Sequence, residues 1–369
     1  MKKVLLVSID GLGNGGVQNV MMNIVRSLSR NYQFDMIVFH KGDNHNYYEH
    51  EFSKYGKIYF INRDHSKFKI IQLFRYLIRP FYEYFKYKNI MKKGKYDILH
   101  CHNEEESTLA LKAAKKCKIP VRISHSHNAY DRDSKKGVLE LYRRFLRKHI
   151  SKYSTCNVGC SIMAGKSLFN NNQFYTIYNA IDLVKFKYTD FCGNDHNLNL
   201  INVGRFCDQK NQLFLLKVFI EIKKINSNSF LTFIGYGPDE DLLKKFVIEN
   251  EVQDVKFLPS DTNVYEELVK NDIFVLPSLY EGFPLSLIEA QITGLKCIVS
   301  DSITQEANLG NVISLSLNNS YEEWAKIICD YWKKYKHKHY RVSSEIIEKY
   351  SRENFIESIV SIYEGGKIE

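Results

Sequence analysis

The sequence predicts an α/β protein with two doubly wound parallel sheets, and three observations support this fold class. Short apolar runs of strand length alternate with amphipathic segments of helix length through both halves of the chain. The 369 residues suffice for two domains. With 44% hydrophobic and 25% charged residues, the composition is ordinary for a globular protein and excludes a disordered or collagen-like chain.

The predicted strands follow one another at helix-length intervals, as in βαβ units. In the first half they are Val4–Ile9, Phe34–Phe39, Lys57–Ile61, Asp97–Cys101, Val121–Ser124 and Thr155–Gly159. In the second half they are Asn199–Val203, Phe230–Ile234, Val255–Phe257, Ile273–Leu276 and Cys297–Val299.

A polar stretch without periodicity, Lys185–Asn197, predicts the linker between the two domains. We therefore expect one domain over 1–190, a second over 191–350, and a last helix over 351–369. The apolar residues of this helix recur at helical spacing, so we expect it to pack back onto the first domain.

Charge separates the two halves. Residues 1–190 hold 33 Lys and Arg against 16 Asp and Glu, or +17, whereas residues 191–369 hold 19 against 26, or −7. A basic half suits nucleic acid, an anionic membrane or a phosphate-rich substrate. No recognised nucleic-acid module accompanies it, which disfavours the first.

The chain shows no sign of export or of membrane insertion. The basic start runs into an apolar segment of only about six residues, which predicts a first strand and not a signal peptide. No apolar window approaches the ~18 residues of a membrane-spanning helix. Eight cysteines without C-x-x-C pairs indicate free thiols in a reducing cytoplasm.

The turn Gly11–Gly16 follows the first predicted strand and satisfies the G-x-G-x-x-G dinucleotide pattern. An NAD site also needs an acidic residue after the second strand, where this chain has His40 and Lys41. The turn still predicts a close backbone approach to phosphate through Gly15 and Gly16. An ordinary tight turn is the alternative.

Two H-x-H pairs end predicted parallel strands, His100 with His102 and His125 with His127. Period two places each pair on one face, at the strand ends where open α/β sheets bind ligands. We expect a functional role for His125. A metallohydrolase site that includes Glu104, or purely structural histidines, are the alternatives.

The second half opens with a strand, a glycine turn and two cations, Arg205 and Lys210, which suit a diphosphate. A second glycine turn, with Gly235 and Gly237, follows the next strand and is expected to approach a nucleotide at the same sheet edge.

The most specific segment is Pro277–Ala290, in which Glu281 precedes a helix that continues to Glu289. With Pro284 as the first helical residue, the helix start offers amides to phosphate, with a carboxylate on either side for sugar hydroxyls. The residues expected to supply these amides are Phe283, Leu285 and Ser286.

Residues 67–95 carry nine Lys and Arg against one Glu, with eight interleaved Phe and Tyr, in a helical stripe that Pro80 is expected to kink. This pattern is typical of a membrane-surface helix. The alternative is a domain helix whose stripe packs on the sheet. The candidate acceptor or membrane residues are Lys67, Lys69, Arg75, Arg79, Lys86 and Lys88.

Six segments in order resemble the family 4 glycosyltransferases, which are retaining enzymes of the GT-B fold with two Rossmann-like domains facing a central cleft. They are Gly15–Gln18, Leu99–His102, Ser124–Asn128, Tyr178–Phe186, Val203–Arg205 with Gln209–Asn211, and Glu281–Glu289. The resemblance to this family extends over nearly the whole chain.

This resemblance implies that Arg205 and Lys210 bind the donor diphosphate, Glu281 contacts the transferred sugar and Glu289 holds the ribose hydroxyls. It places His125 near the reacting centre. The family generally needs no metal ion, so no cofactor is expected beyond the nucleotide-sugar co-substrate.

The Ser124–Asn128 segment and the basic first half resemble bacterial members that build capsular, exopolysaccharide or lipopolysaccharide chains. That resemblance implies a UDP-sugar donor, a glycan or polyprenyl-diphosphate acceptor, and a cytoplasmic enzyme held peripherally at the inner leaflet. Two other classes stay open: an NAD-dependent oxidoreductase that uses Gly11–Gly16, and a non-catalytic carbohydrate- or membrane-binding protein.

Overall fold

The computed structural model describes residues 1–8, 11–13, 15–40, 47–62, 69–129, 137–189, 197–335 and 340–366. It divides into two compact units, Met1–Ala180 with Glu353–Glu369, and Ile181–Arg352. The domain boundary expected between residues 190 and 191 falls in 190–196, outside the described residues.

The first unit is built on a seven-stranded parallel sheet with the order β3-β2-β1-β4-β5-β6-β7. Its strands are β1 (Lys2–Ser8), β2 (Tyr32–His40), β3 (Ile58–Asn62), β4 (Ile98–Cys101), β5 (Val121–Ser126), β6 (Cys156–Gly159) and β7 (Tyr175–Thr176). Its helices are α1 (Gly16–Leu28), α2 (Glu49–Phe52), α3 (Lys69–Gly94), α4 (Ser107–Lys116), α5 (Val138–Tyr153) and α6 (Ile162–Phe169).

The second unit contains a six-stranded parallel sheet with the order β10-β9-β8-β11-β12-β13. Its strands are β8 (Leu198–Val203), β9 (Ser229–Ile234), β10 (Val255–Leu258), β11 (Ile273–Leu276), β12 (Lys296–Ser300) and β13 (Val312–Leu315). Its helices are α7 (Gln212–Ile225), α8 (Glu240–Glu249), α9 (Val264–Leu268), α10 (Leu285–Thr293), α11 (Tyr321–Tyr335) and α12 (Ser344–Glu348). The last helix of the chain is α13 (Arg352–Tyr363).

Both faces of the first sheet are covered, as a parallel sheet requires. Along β1 the side chains alternate: Val4 and Leu6 enter the core cluster that contains α1 and α13, whereas Leu5 and Val7 enter the cluster on the other face. All four are fully buried. The apolar run of β1 therefore belongs to a central strand.

The last helix, α13, packs into the first unit although the chain has passed through the second. Phe355, Ile359, Ile362 and Tyr363 belong to the same core cluster as β1. These four residues follow the spacing of one helix face, which lies against the sheet while the opposite face is exposed.

Among the described residues, no helix combines the length and the apolar character needed to cross a bilayer.

Candidate active site

Three of the predicted donor residues, Arg205, Lys210 and Glu281, lie on the two loops where strand order reverses in the second sheet. β8 and β11 are neighbours, with β9 beyond one and β12 beyond the other. In open α/β sheets such a reversal leaves a crevice at the carboxyl ends of the strands. Gly204 and Arg205 follow β8, and Pro277–Glu281 follows β11.

Lys210 and Glu281 form a hydrogen-bonded ion pair on these loops. The Lys210 ammonium donates to Glu281 Oε1 at 2.6 Å, and the Ser278 hydroxyl donates to the same oxygen at 2.6 Å. The side chains of Lys210 and Glu281 are only 16% and 6% exposed. Because both charges are largely out of water, the pair fixes the carboxylate and the ammonium in place before a ligand binds.

Arg205 and Glu289 are placed differently. The Arg205 side chain is exposed. Glu289 lies on α10 at intermediate burial, and burial raises the pKa of its carboxyl to about 7, with Lys185 opposing this rise and Asp182 adding to it. Among the described residues, no hydrogen bond joins either side chain to the Lys210–Glu281 pair.

The start of α10 differs by one residue from the expectation. Pro284 is not the first helical residue but the residue before it, with an extended backbone (φ −77°, ψ 96°). The amides of Leu285 and Ser286 then begin the helix and have no acceptor within it. The Phe283 ring is buried and stacks on Tyr350 at 5.5 Å between centroids.

Gly235 and Gly237 are required by the close approach of their turn to the β8 loop. A Cβ on Gly235 would lie 2.0 Å from the Gly204 carbonyl oxygen, and one on Gly237 would lie 2.1 Å from that of Phe206. Gly235 also has φ +155°. The turn thus contacts the segment that carries Arg205, which gives these glycines a structural reason besides the predicted approach to a nucleotide.

In the first unit, the glycine turn leads directly into α1. Gly15 precedes the helix in an extended conformation, and Gly16 is its first residue. Among the described residues, no atom lies within 4 Å of the position that a Cβ on Gly16 would take. Gly11 has φ +68°, which favours glycine. The second half of this turn can therefore present backbone amides to an anion.

The four histidines of the two H-x-H pairs form one buried cluster on the neighbouring strands β4 and β5. His100 Nε2 lies 3.2 Å from His125 Nδ1, and His102 Nδ1 lies 2.8 Å from His127 Nε2. His100 Nδ1 lies 3.0 Å from the Tyr363 hydroxyl of α13. His125 is fully buried, and its Nε2 has no partner among the described residues.

Burial also keeps this cluster uncharged. It lowers the pKa of His100, His102 and His125 below the usual value, and neighbouring imidazoles lower it further. Burial alone lowers the pKa of His127 to about 3. All four rings are therefore neutral at pH 7.

Three histidines of the cluster bring together atoms that could hold a metal ion. Ring nitrogens of His100, His102 and His125 lie within 4.8 Å of one another. Both ring nitrogens of His100 lie at hydrogen-bond distance from other groups, the Tyr363 hydroxyl and His125 Nδ1. The metal site therefore stays a prediction.

Glu104 is a site residue whose role the sequence analysis missed. Its carboxylate accepts hydrogen bonds from the Ser126 hydroxyl at 3.0 Å and from the backbone amides of His127 and Asn128 at 2.7 and 3.2 Å. It therefore fixes the loop after β5. Its position after β4, beside β5, was the signal that could have indicated this.

The basic segment is described only in part. Lys67 lies outside the described residues, and of Lys69 and Arg75 the structure describes the backbone alone. Lys86 is exposed, and Lys88 is half-buried.

Arg79 is less available to a ligand than predicted. It donates to the Glu83 carboxylate at 2.7 Å and to that of Glu106 at 3.5 Å. These two carboxylates compensate its charge within the first unit.

The helix α3 continues through Pro80. The part of its predicted stripe that the structure describes does not pack on the sheet, because Phe81 and Phe85 are 67% and 62% exposed. Tyr87 and Met91 are buried instead. Successive residues of a helix are about 100° apart around its axis, so the exposed pair is centred about 120° from the buried pair and lies on a different face.

Two family models together match most of the chain. The model described as Glycosyltransferase Family 4 matches residues 14–185, and the one described as Glycosyl transferases group 1 matches residues 194–339. The chain belongs to glycosyltransferase family 4. It is thus an enzyme that transfers a glycosyl group, and neither an oxidoreductase nor a non-catalytic binding protein is favoured.

The glycosyltransferase is similar to three bacterial relatives. It is 29% identical to the putative glycosyltransferase EpsF of Bacillus subtilis, over 89% of this chain and 87% of the relative. It is 29% identical to the UDP-Gal:alpha-D-GlcNAc-diphosphoundecaprenol alpha-1,3-galactosyltransferase of Escherichia coli, over 58% and 59%. It is 30% identical to the capsular polysaccharide biosynthesis glycosyltransferase CapH of Staphylococcus aureus, over 62% and 66%.

The fold of the glycosyltransferase is similar to that of Anabaena HepE, whose crystal structure is in complex with UDP. The TM-score is 0.74 at 13% sequence identity, over 99% of this chain and 100% of that one. The predicted GT-B fold, with two parallel-sheet α/β units, is confirmed.

Proposed function

We propose that this glycosyltransferase moves a hexosyl group from a UDP-sugar to a hydroxyl of a glycan carried on a polyprenyl diphosphate, in the synthesis of a bacterial surface polysaccharide. The observation that carries the donor half of this proposal is the buried Lys210–Glu281 pair at the reversal of strand order in the second sheet. A carboxylate held there accepts sugar hydroxyls, and the ammonium beside it attracts phosphate.

The leaving diphosphate needs positive charge as it departs. Lys210 and the exposed Arg205 on the loop after β8, and the amides of Leu285 and Ser286 after β11, supply it. These groups neutralise the diphosphate without a metal ion, so we include metal independence in the proposal.

Three relatives support the choice of donor and acceptor. The HepE structure is in complex with UDP. The name of the Escherichia coli relative gives UDP-Gal as donor and a diphosphoundecaprenol-linked sugar as acceptor. The name of CapH gives capsular polysaccharide biosynthesis as its pathway. Retention of the anomeric configuration follows from the family resemblance alone. Proton NMR of the anomeric signal in a product formed from an α-linked UDP-sugar tests it directly.

The test of the donor site is Glu281→Gln, which keeps the shape and removes the charge. The matched control is Glu267→Gln on α9, where another carboxylate accepts from a lysine, Lys270, at 2.7 Å. We expect UDP release from a panel of UDP-sugars to fall about 100-fold or more for Glu281→Gln, the scale of a lost electrostatic contact at a reacting centre. Glu267→Gln should stay within about twofold of the wild type.

Equal activity of the two variants, with both folded by circular dichroism, would contradict the assignment of Glu281. No UDP release by the wild type from any UDP-sugar would contradict the choice of donor.

We place the enzyme peripherally on the cytoplasmic face of the cell membrane. Each of two helices exposes a pair of apolar side chains about one helical turn apart. The pair on α3 is Phe81 and Phe85, and the pair on α5 is Leu141 and Phe145. The two helices are neighbours, because residues 142, 143 and 146 of α5 line a small cavity with residues 79, 80 and 83 of α3.

The exposed lysines and arginines on these helices fit the same partner. Lys86 on α3 and Arg144 and Lys148 on α5 are exposed. Apolar side chains that enter the headgroup region, flanked by cations that attract anionic lipids, are typical of a peripheral membrane helix. Such a surface would bring the enzyme to its lipid-linked acceptor.

Co-sedimentation with lipid vesicles tests this attachment. The vesicles contain roughly 30 mol% anionic lipid, to reproduce the negative surface of a cytoplasmic leaflet. We expect the double variant Phe81→Ser with Phe85→Ser to bind about tenfold more weakly or worse, because two apolar side chains leave the bilayer. The control is Leu242→Ser with Ile248→Ser on α8, where the side chains are 52% and 75% exposed. Equal binding by both double variants would contradict the assignment of this surface.

A further inference from the structure

A chain of hydrogen bonds runs from the last helix of the protein into the histidine cluster. The Tyr363 hydroxyl oxygen lies 3.0 Å from His100 Nδ1, and His100 Nε2 lies 3.2 Å from His125 Nδ1. All three side chains are fully buried. The second pair, His102 with His127, is bonded separately at 2.8 Å.

We infer that Tyr363, acting through His100, holds His125 in the tautomer that carries its proton on Nε2. Tyr363 and His100 are then positioning residues, and His125 is the group that they orient. The chemical role of His125 rests on the proposed function, whereas its tautomer does not.

The direction of these hydrogen bonds, from donor to acceptor, follows from counting protons. A neutral imidazole has one N–H donor and one acceptor nitrogen. If the Tyr363 hydroxyl donates to His100 Nδ1, His100 carries its proton on Nε2 and donates it to His125 Nδ1. The proton of His125 must then be on Nε2. Burial and the neighbouring Tyr32 raise the pKa of Tyr363, so its hydroxyl keeps its proton.

The opposite direction leaves more groups unsatisfied. His125 would donate from Nδ1 to His100, and His100 would donate to the Tyr363 oxygen. The Tyr363 O–H would then be buried without an acceptor among the described residues, and His125 Nε2 would have no donor to accept from. Unpaired buried polar groups are costly, so the direction that leaves a single unpaired N–H is favoured.

This tautomer decides what His125 can do. A nitrogen that carries the proton can donate a hydrogen bond but cannot accept a proton, so Nε2 of His125 acts as a donor. The contact with α13 therefore makes His125 a fixed hydrogen-bond donor instead of a base.

The direct test is the ring ¹⁵N NMR spectrum of the full-length protein labelled at histidine. In the wild type we expect His125 as a single neutral tautomer, protonated at Nε2 from pH 6 to 8. In Tyr363→Phe, which keeps the ring and removes only the hydroxyl, we expect a mixture of both tautomers. Tyr32→Phe is the matched control, because its hydroxyl donates to Glu364 near the end of α13, outside the chain of histidines.

Kinetics separate positioning from packing. For Tyr363→Phe we expect kcat for UDP release to fall about tenfold or more, as for other lost orienting partners, with KM for the donor within about twofold. Tyr32→Phe should keep the wild-type kcat.

Protonation at Nδ1 of His125 in the wild type, or an unchanged His125 tautomer in Tyr363→Phe, would overturn the inference. Absence of UDP release by the wild type would refute the proposed function and leave the tautomer result standing.

Discussion

Glu289, a predicted donor-site residue, has a carboxyl whose raised pKa lies near neutral pH. With the pKa of its carboxyl raised to about 7, it is mainly neutral at pH 6 and mainly ionised at pH 8. The ionised form accepts hydrogen bonds from ribose hydroxyls better than the neutral one. UDP affinity should therefore rise with pH up to about 8 and level off above it, by about tenfold between pH 6 and 8.

Isothermal titration with UDP across this range checks the effect. Glu289→Gln cannot ionise and should lose most of the pH dependence, keeping only the part that comes from the UDP phosphate itself. A pH dependence as steep as that of the wild type would show that another group is responsible.

At the residue scale, the sequence predicts which side chains lie at the strand ends but not what they contact. Lys210 and Glu281 are 71 residues apart, and only the neighbouring positions of β8 and β11 bring them together. The bond between His100 and Tyr363, which are 263 residues apart, depends instead on the packing of α13 onto the first sheet. No local pattern specifies such contacts, because the tertiary arrangement of distant elements decides them.

The helix α13 is the last element in the sequence, yet it packs in the core of the first unit. Ile359 is fully buried among residues of β1 and α1. Ile359→Ala should lower the free energy of unfolding by about 2–4 kcal/mol, since it removes buried methylene groups and leaves a cavity. Glu357→Ala, on the exposed side of the same helix, should change it by less than about 0.5 kcal/mol. Urea unfolding followed by circular dichroism measures both, and equal effects would show that α13 is not packed as described.

Most strands could be predicted from the sequence, and the shortest could not. The eleven predicted strands correspond to β1–β6 and β8–β12. β7 has only two residues, so it carries too little pattern to be distinguished from a loop, and only pairing with its neighbour makes it a strand. β13 was also missed, although with four residues it is as long as the predicted β4, β6, β10 and β11.

At the scale of the whole molecule, the two units have separate cores. In the described part of the chain, the clusters around the first sheet and the cluster around β8, α7 and α11 share no residue. The predicted two-sheet architecture follows from the alternating pattern. The return of α13 to the first unit completes the first core with residues from the far end of the sequence.

Separate cores predict that a nucleotide stabilises one unit and not the other. Apart from the predicted approach of Gly15 and Gly16 to phosphate, the proposed UDP contacts, including Lys210, Glu281 and Glu289, lie in the unit Ile181–Arg352. UDP at 100 times its Kd contributes about 2.7 kcal/mol to the folded form of that unit, which raises its Tm by about 5–10 °C for a domain of this size. Calorimetry of the full chain should show two transitions, of which UDP raises one. Ile359→Ala should lower the other, which assigns that transition to the first unit. A UDP shift of the same transition that Ile359→Ala lowers would place the nucleotide in the first unit and contradict the donor site.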